Sequence, residues 1–191
     1  MASPVVLFHH ALGHTPGVSA LAERLRAEGL EVSVPDLYEG ATFRALDDGV
    51  AHALAIGFGE VIARGAAAVD ASVQPVVVGL SLGVLPAQFA AQTIHGVRAA
   101  VLVGSCVPLG EFADQWPAGV TVEVHAGRND PIFDDDGDAE AAAALELISS
   151  DATVVRHDGA GHLCCETGHP DFDQAACDAV VAAVIRLARN D

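Results

Sequence analysis

The stretch that most constrains this chain is Gln74-Pro75-Val76-Val77-Val78-Gly79-Leu80-Ser81-Leu82-Gly83-Val84. An apolar β-branched run ends in the pattern G-x-S-x-G, and a helix-compatible segment follows. That order predicts a strand, a sharp turn and a helix, with a serine at the apex in a strained backbone conformation. Gly79 and Gly83 fit such a turn because a Cβ at either position would meet the neighbouring strand or helix. The serine hydroxyl then stands above the carboxyl edge of a sheet. The Leu82 N–H and the N-terminus of the following helix face any negative charge that forms there.

The rest of the chain supplies the elements such a turn needs. Val5-Val6-Leu7-Phe8 is a continuous apolar run, as in a parallel strand buried on both faces, and His9-His10-Ala11 leads into the Gly- and Pro-containing loop after it. Val18 to Glu28 has helical periodicity, with Gly29 closing it. Leu30 to Val34 reads as a strand that Pro35 stops. Asp47 to about Arg64 reads as a second helix weakened by Gly57 and Gly59, with a break expected near there. Ala99 to Val103, Val120 to His125 and Thr153 to Arg156 complete six expected strands. Asp138 to Leu147 and Phe172 to Leu187 are expected helices. Strands alternating with helices imply an α/β fold with a doubly wound, mostly parallel sheet, in a single domain over residues 1–191. The stretch from Gly104 to Gly119 is too short to build a large lid.

Composition narrows the partners. The formal net charge is −17, and the nine basic residues are all arginine, so nucleic acid and anionic membrane surfaces are not expected partners. No apolar run approaches the length of a bilayer span, and Met1-Ala2-Ser3-Pro4 runs straight into the first strand without a basic leader. These features imply a cytoplasmic protein, a monomer or small homo-oligomer, whose four cysteines are free thiols.

In doubly wound sheets ligands bind beyond the carboxyl ends of the strands. Ser81, Asp130 and His162 all fall in loops at that edge, in the chain order serine, acid, histidine. A serine hydroxyl becomes a nucleophile when a base takes its proton, and a buried carboxylate usually orients that base. Of nine histidines, His162 is chosen as the base because Gly159-Ala160-Gly161 lets it turn back over the sheet. His9 lies at a strand end, and His52 and His95 fall in helical stretches. His125 is assigned a structural role, and His157 and His169 are expected in solvent. Asp130 directly follows the fifth strand, whereas Asp134, Asp135, Asp136 and Asp138 read as a solvated run entering a helix. The N–H groups of Ala11 and Leu82 are the expected oxyanion donors. His10, Tyr38, Cys106, Phe133 and Leu163 are the expected walls of the substrate pocket. No metal is expected: the acidic run lacks calcium-loop spacing, and Cys164-Cys165 with His162 and His169 match no standard zinc pattern.

Together these residues resemble the dienelactone hydrolase family of the α/β-hydrolase superfamily. The likeness rests on Val5 to Gly13, Pro35-Asp36-Leu37-Tyr38, the turn at Ser81, Asp130, and Gly161-His162-Leu163. It implies one compact domain, no cofactor, and hydrolysis of a small ester or lactone. Two departures stand out. Dienelactone hydrolases proper use cysteine where this chain has Ser81, and they carry a glutamate beside the nucleophile at the position of His10. The expectation is therefore a serine hydrolase acting through an acyl-enzyme on a small carboxylic ester or lactone. The alternatives are a short-chain acyl thioesterase with the same three residues and a catalytically silent scaffold that binds a small ligand or a partner.

Overall fold

A computed structural model of the chain describes residues 2–190. Six strands form one sheet: β1 (Val5–Phe8), β2 (Val32–Ser33), β3 (Val76–Leu80), β4 (Ala99–Val103), β5 (Thr121–Gly127) and β6 (Ala152–His157). Their order is β2-β1-β3-β4-β5-β6, and every pairing is parallel. Seven α-helices connect them: α1 (Pro16–Ala27), α2 (Leu46–Ile56), α3 (Phe58–Ala67), α4 (Val84–Thr93), α5 (Pro131–Asp135), α6 (Asp138–Ile148) and α7 (Gln174–Arg189). This is the doubly wound α/β-hydrolase arrangement, without a large lid.

Alternate residues of each strand point to opposite faces, so one valine-rich sequence builds two cores. Val5, Leu7, Val76, Val78 and Val101 pack with α1 and α7. Val6, Phe8, Val77, Ala100 and Leu102 pack with α2, α3, α4 and α6. Burying each such side chain stabilises the fold by about 1.5–3 kcal/mol relative to leaving it in water. Side chains lock helix starts: Thr15 accepts from the Val18 N–H at 3.2 Å at α1, and Asp173 accepts from the Ala176 N–H at 2.8 Å at α7. Each such cap contributes about 1 kcal/mol.

Two expectations change in detail, and an expected helix break is found where the glycines put it. The strand expected over Leu30 to Val34 shrinks to Val32–Ser33 at the sheet edge, where the Arg26 guanidinium takes the outward Val32 carbonyl in place of another strand. The break expected between Asp47 and Arg64 is present, as two helices that meet at 84°. The break is Gly57, at φ 93°. The acidic run is not one solvated lead-in: Asp134 and Asp135 belong to α5, Gly137 separates it from α6, and Asp138 turns inward. Among the described residues no single helix is long and apolar enough to cross a membrane.

Candidate active site

Ser81 sits between β3 and α4 at φ 48°, in the left-handed region, which costs a non-glycine residue about 1–2 kcal/mol. The surrounding backbone enforces it. A Cβ on Gly79 would lie 2.5 Å from the Gly83 carbonyl oxygen, and one on Gly83 would lie 2.4 Å from the Phe8 carbonyl oxygen. The turn is thereby pressed against the end of β1, which brings the 9–13 loop beside the serine.

Three elements converge there. The loop after β6 carries His162, and the turn between β5 and α5 carries Asp130. Ser81 Oγ lies 2.7 Å from His162 Nε2. His162 Nδ1 lies 2.9 Å and 3.1 Å from the two carboxylate oxygens of Asp130. The carboxylate accepts only, so Nδ1 carries the proton and Nε2 is left to accept from the serine hydroxyl. Asp130 is fully buried. It also caps α5, accepting from the Phe133 N–H at 3.2 Å, which fixes the carboxylate in place. Such a chain of hydrogen bonds can remove the serine proton during nucleophilic attack and return it to a leaving group.

The loop after β1 is held by His9. Its Nδ1–H donates to the His10 carbonyl at 2.8 Å, and its Nε2 accepts from the Leu37 N–H at 3.0 Å. Both roles require a neutral ring. Burial does push the His9 pKa down, to about 4, against a smaller opposing effect of the bond to His10. The Gly13 N–H reaches the same His10 carbonyl at 3.0 Å. The Ala11 N–H belongs to that peptide unit and points the opposite way from the carbonyl.

Ser81 and His162 face a groove of about 460 Å³. Its walls are Leu46, Val50 and Leu54 of α2 and Ile132 of α5, and Asp47 and Asp136 stand at its rim. No arginine lines it. On the other side, Ser81 and His162 also border a space of about 10 Å³ with His10, Leu163, Cys165 and Glu166. A larger cleft of about 560 Å³ lies near Pro4, Pro75 and Arg98, at the amino ends of the strands and away from these residues.

His10 and Leu163 therefore border the serine, but Tyr38, Cys106 and Phe133 do not line either space, which corrects their assignment to the pocket wall. Tyr38 is buried against His9, Phe43 and His52, with its hydroxyl donating to the Gly49 carbonyl at 3.3 Å. Cys106 turns into the core, and burial raises its thiol pKa to about 12. Its backbone N–H, with the Ser105 hydroxyl, donates to Asp138 at 2.8 Å and 2.7 Å. Phe133 is fully buried beneath the Arg156 guanidinium, because the Pro131 turn directs it inward. His157 is half-buried: it stacks on His125, with ring nitrogens 3.0 Å apart. Cys164 and Cys165 are buried, their sulfurs 4.0 Å apart.

Four participants escape a reading by motif. His9 orients the His10–Ala11 peptide. Asp138 and Gln88 pin the loop after β4, Gln88 by bonding both the N–H and the carbonyl of Val107. Glu166 pairs with His10 at 2.9 Å. The one sequence signal for Glu166 is an acid only four residues past His162, inside an otherwise apolar stretch.

The architecture recurs among solved proteins. A proposed dienelactone hydrolase from Klebsiella pneumoniae superimposes with a TM-score of 0.75 at 15% identity, over 100% of this chain and 88% of that one. A dienelactone hydrolase-like promiscuous phosphotriesterase from metagenomic libraries gives 0.69 at 18%, over 100% and 88%. A thermophilic esterase of Thermogutta terrifontis gives 0.63 at 15%, over 95% and 80%. At these identities the likeness speaks for the fold alone. No curated protein matches the sequence. The sequence itself matches the dienelactone hydrolase family over residues 2–190, and the chain belongs to that family of hydrolases.

Proposed function

We propose that the protein is a serine hydrolase that cleaves small, uncharged carboxylic esters through an acyl-enzyme. The observation that carries this reading is the hydrogen-bonded chain from Ser81 through His162 to the buried Asp130. Ser81 Oγ attacks the ester carbonyl while His162 Nε2 takes its proton. His162 then gives the proton to the departing alcohol, and Asp130 stabilises the imidazolium formed in between. The N–H groups of Leu82 and Ala11 receive the oxyanion.

The groove supports the choice of an uncharged substrate. Leu46, Val50, Leu54 and Ile132 offer an apolar surface to an acyl chain, and the two rim carboxylates repel an anion. A carboxylate-bearing lactone finds no arginine there, so the departure from the parent family at Ser81 and His10 is accompanied by a groove unsuited to an acidic lactone. The buried free thiols suit a reducing, cytoplasmic setting.

The test is a panel of p-nitrophenyl esters of increasing acyl length, with carboxylated analogues, combined with labelling by a fluorophosphonate. The expected outcome is a label on Ser81 and turnover of the neutral esters above the carboxylated ones. An unlabelled, inactive protein would instead favour the silent scaffold.

A further inference from the structure

Glu166 is buried beside Ser81 yet takes no part in the Ser81–His162–Asp130 chain. Its carboxylate rests at the start of α1. The Thr15 hydroxyl donates to Oε2 at 2.8 Å, and His10 Nε2 lies 2.9 Å from the same oxygen. A Cβ on Gly17 would come within 2.2 Å of Oε2, so only glycine admits the carboxylate there. Burial pushes the Glu166 pKa up, but the hydrogen bonds from His10 and Thr15 outweigh it and hold the group below the usual glutamate range.

An ionised carboxylate accepts and cannot donate, so His10 Nε2 carries the proton of that bond. In the neutral ring Nδ1 is then a bare acceptor. It is buried and has no hydrogen-bond partner among the described residues. His10 also lines the space of about 10 Å³ that borders Ser81 and His162. That volume is of the order one water requires. It is far too small for an acyl or leaving group, which have the groove on the other side.

We propose that this space is the site of the hydrolytic water, held by His10 Nδ1, with Glu166 as the positioning residue that keeps the ring in that tautomer. The proposal rests on the acyl-enzyme reading above. While Ser81 is free, its hydroxyl occupies His162 Nε2. Once Ser81 is acylated that bond is gone, and Nε2 is open to the water. The water donates one hydrogen to His10 Nδ1 and the other to His162 Nε2, which leaves an oxygen lone pair for the acyl carbon. His162 takes the proton as the new C–O bond forms. The bond from the acyl carbon to Ser81 Oγ then breaks, and His162 returns the proton to Oγ. The products are the carboxylic acid and the free serine.

Acylation uses no water, so His10 should matter to one half of the reaction only. The experiment is stopped-flow hydrolysis of p-nitrophenyl acetate by the full chain, in which the initial burst reports acylation and the steady state deacylation. His10→Ala is expected to leave the burst rate within about threefold and to slow deacylation by about ten- to a hundredfold, the effect of one hydrogen bond made in the transition state. His10→Asn places an amide oxygen where Nδ1 stood and is expected to recover most of the loss. Glu166→Gln is expected to slow deacylation selectively too. Equal losses in both phases, no loss in either, or an Asn variant as slow as the Ala variant would each overturn the assignment. If His10→Ala does not fold, the Asn and Gln variants decide by the same ratio of the two rates. Absence of any acyl-enzyme in the unaltered protein would instead sink the parent reading, and this one with it.

Discussion

His9 Nδ1 donates to the carbonyl of its own neighbour, His10, at 2.8 Å. That carbonyl shares a planar peptide with the Ala11 N–H, so the bond sets the direction of the expected oxyanion donor. His9→Ala should lower kcat by about ten- to a hundredfold with little change in KM, because the donor is needed most in the transition state. It should also destabilise the fold by about 1–3 kcal/mol for the buried Leu37 N–H left unpaired, since the His10 carbonyl keeps its bond from the Gly13 N–H. Ester kinetics and denaturant melts on one preparation separate the two effects. Lost stability with unchanged kcat would reduce His9 to a structural role.

The same histidine predicts the acid side of the stability profile. Its pKa falls from 6.5 unfolded to about 4 folded, so the unfolded chain binds a proton that the folded one refuses. The stability from its neutral form is complete above pH 6.5 and is lost progressively as pH falls toward 4. The integrated loss is on the order of 3 kcal/mol. Urea melts at pH 7, 5.5 and 4 should register it, and the His9→Ala variant should show a flatter profile across that window.

Ser81→Ala should abolish ester hydrolysis without unfolding the chain. Because Ser81 lies at φ 48°, Ser81→Gly should be equally inactive yet more stable than Ser81→Ala by about 1 kcal/mol. Thermal melts of the two variants test the strain, and turnover tests the nucleophile.

Asp130→Asn should keep the α5 cap, since an amide oxygen still accepts from the Phe133 N–H. It should lower kcat by about four orders of magnitude, the typical cost of favouring the wrong histidine tautomer. A near-normal rate would move the acid elsewhere, with the half-buried Asp138 as the first candidate.

Reversing a rim charge should change selectivity rather than rate. Asp136→Arg is expected to raise kcat/KM for a carboxylated ester relative to its neutral counterpart by about tenfold, which corresponds to about 1.4 kcal/mol. An unchanged ratio would mean that the rim does not select against anions.

The sequence by itself determined the sheet, the turn at Ser81 and the loops that carry Asp130 and His162. These are local matters: continuous valine runs demand burial on both faces, and G-x-S-x-G between a strand and a helix leaves few backbone solutions. Gly57 marked a helix break for the same reason. The tertiary structure decided everything that depends on which side chain meets which across long stretches of chain. Glu166 meets His10 and Thr15 only because α1 and the loop after His162 pack at one corner. Asp138, adjacent to a solvated acidic run, turns inward to hold Ser105 and Cys106. Tyr38, Cys106 and Phe133 fall in loops or turns at the carboxyl edge of the sheet and fill the core in space, because their packing partners come from other segments of the chain. Hydrophobic period and turn chemistry are written in neighbouring residues; hydrogen-bond partners of buried polar groups are settled only when distant segments close on one another.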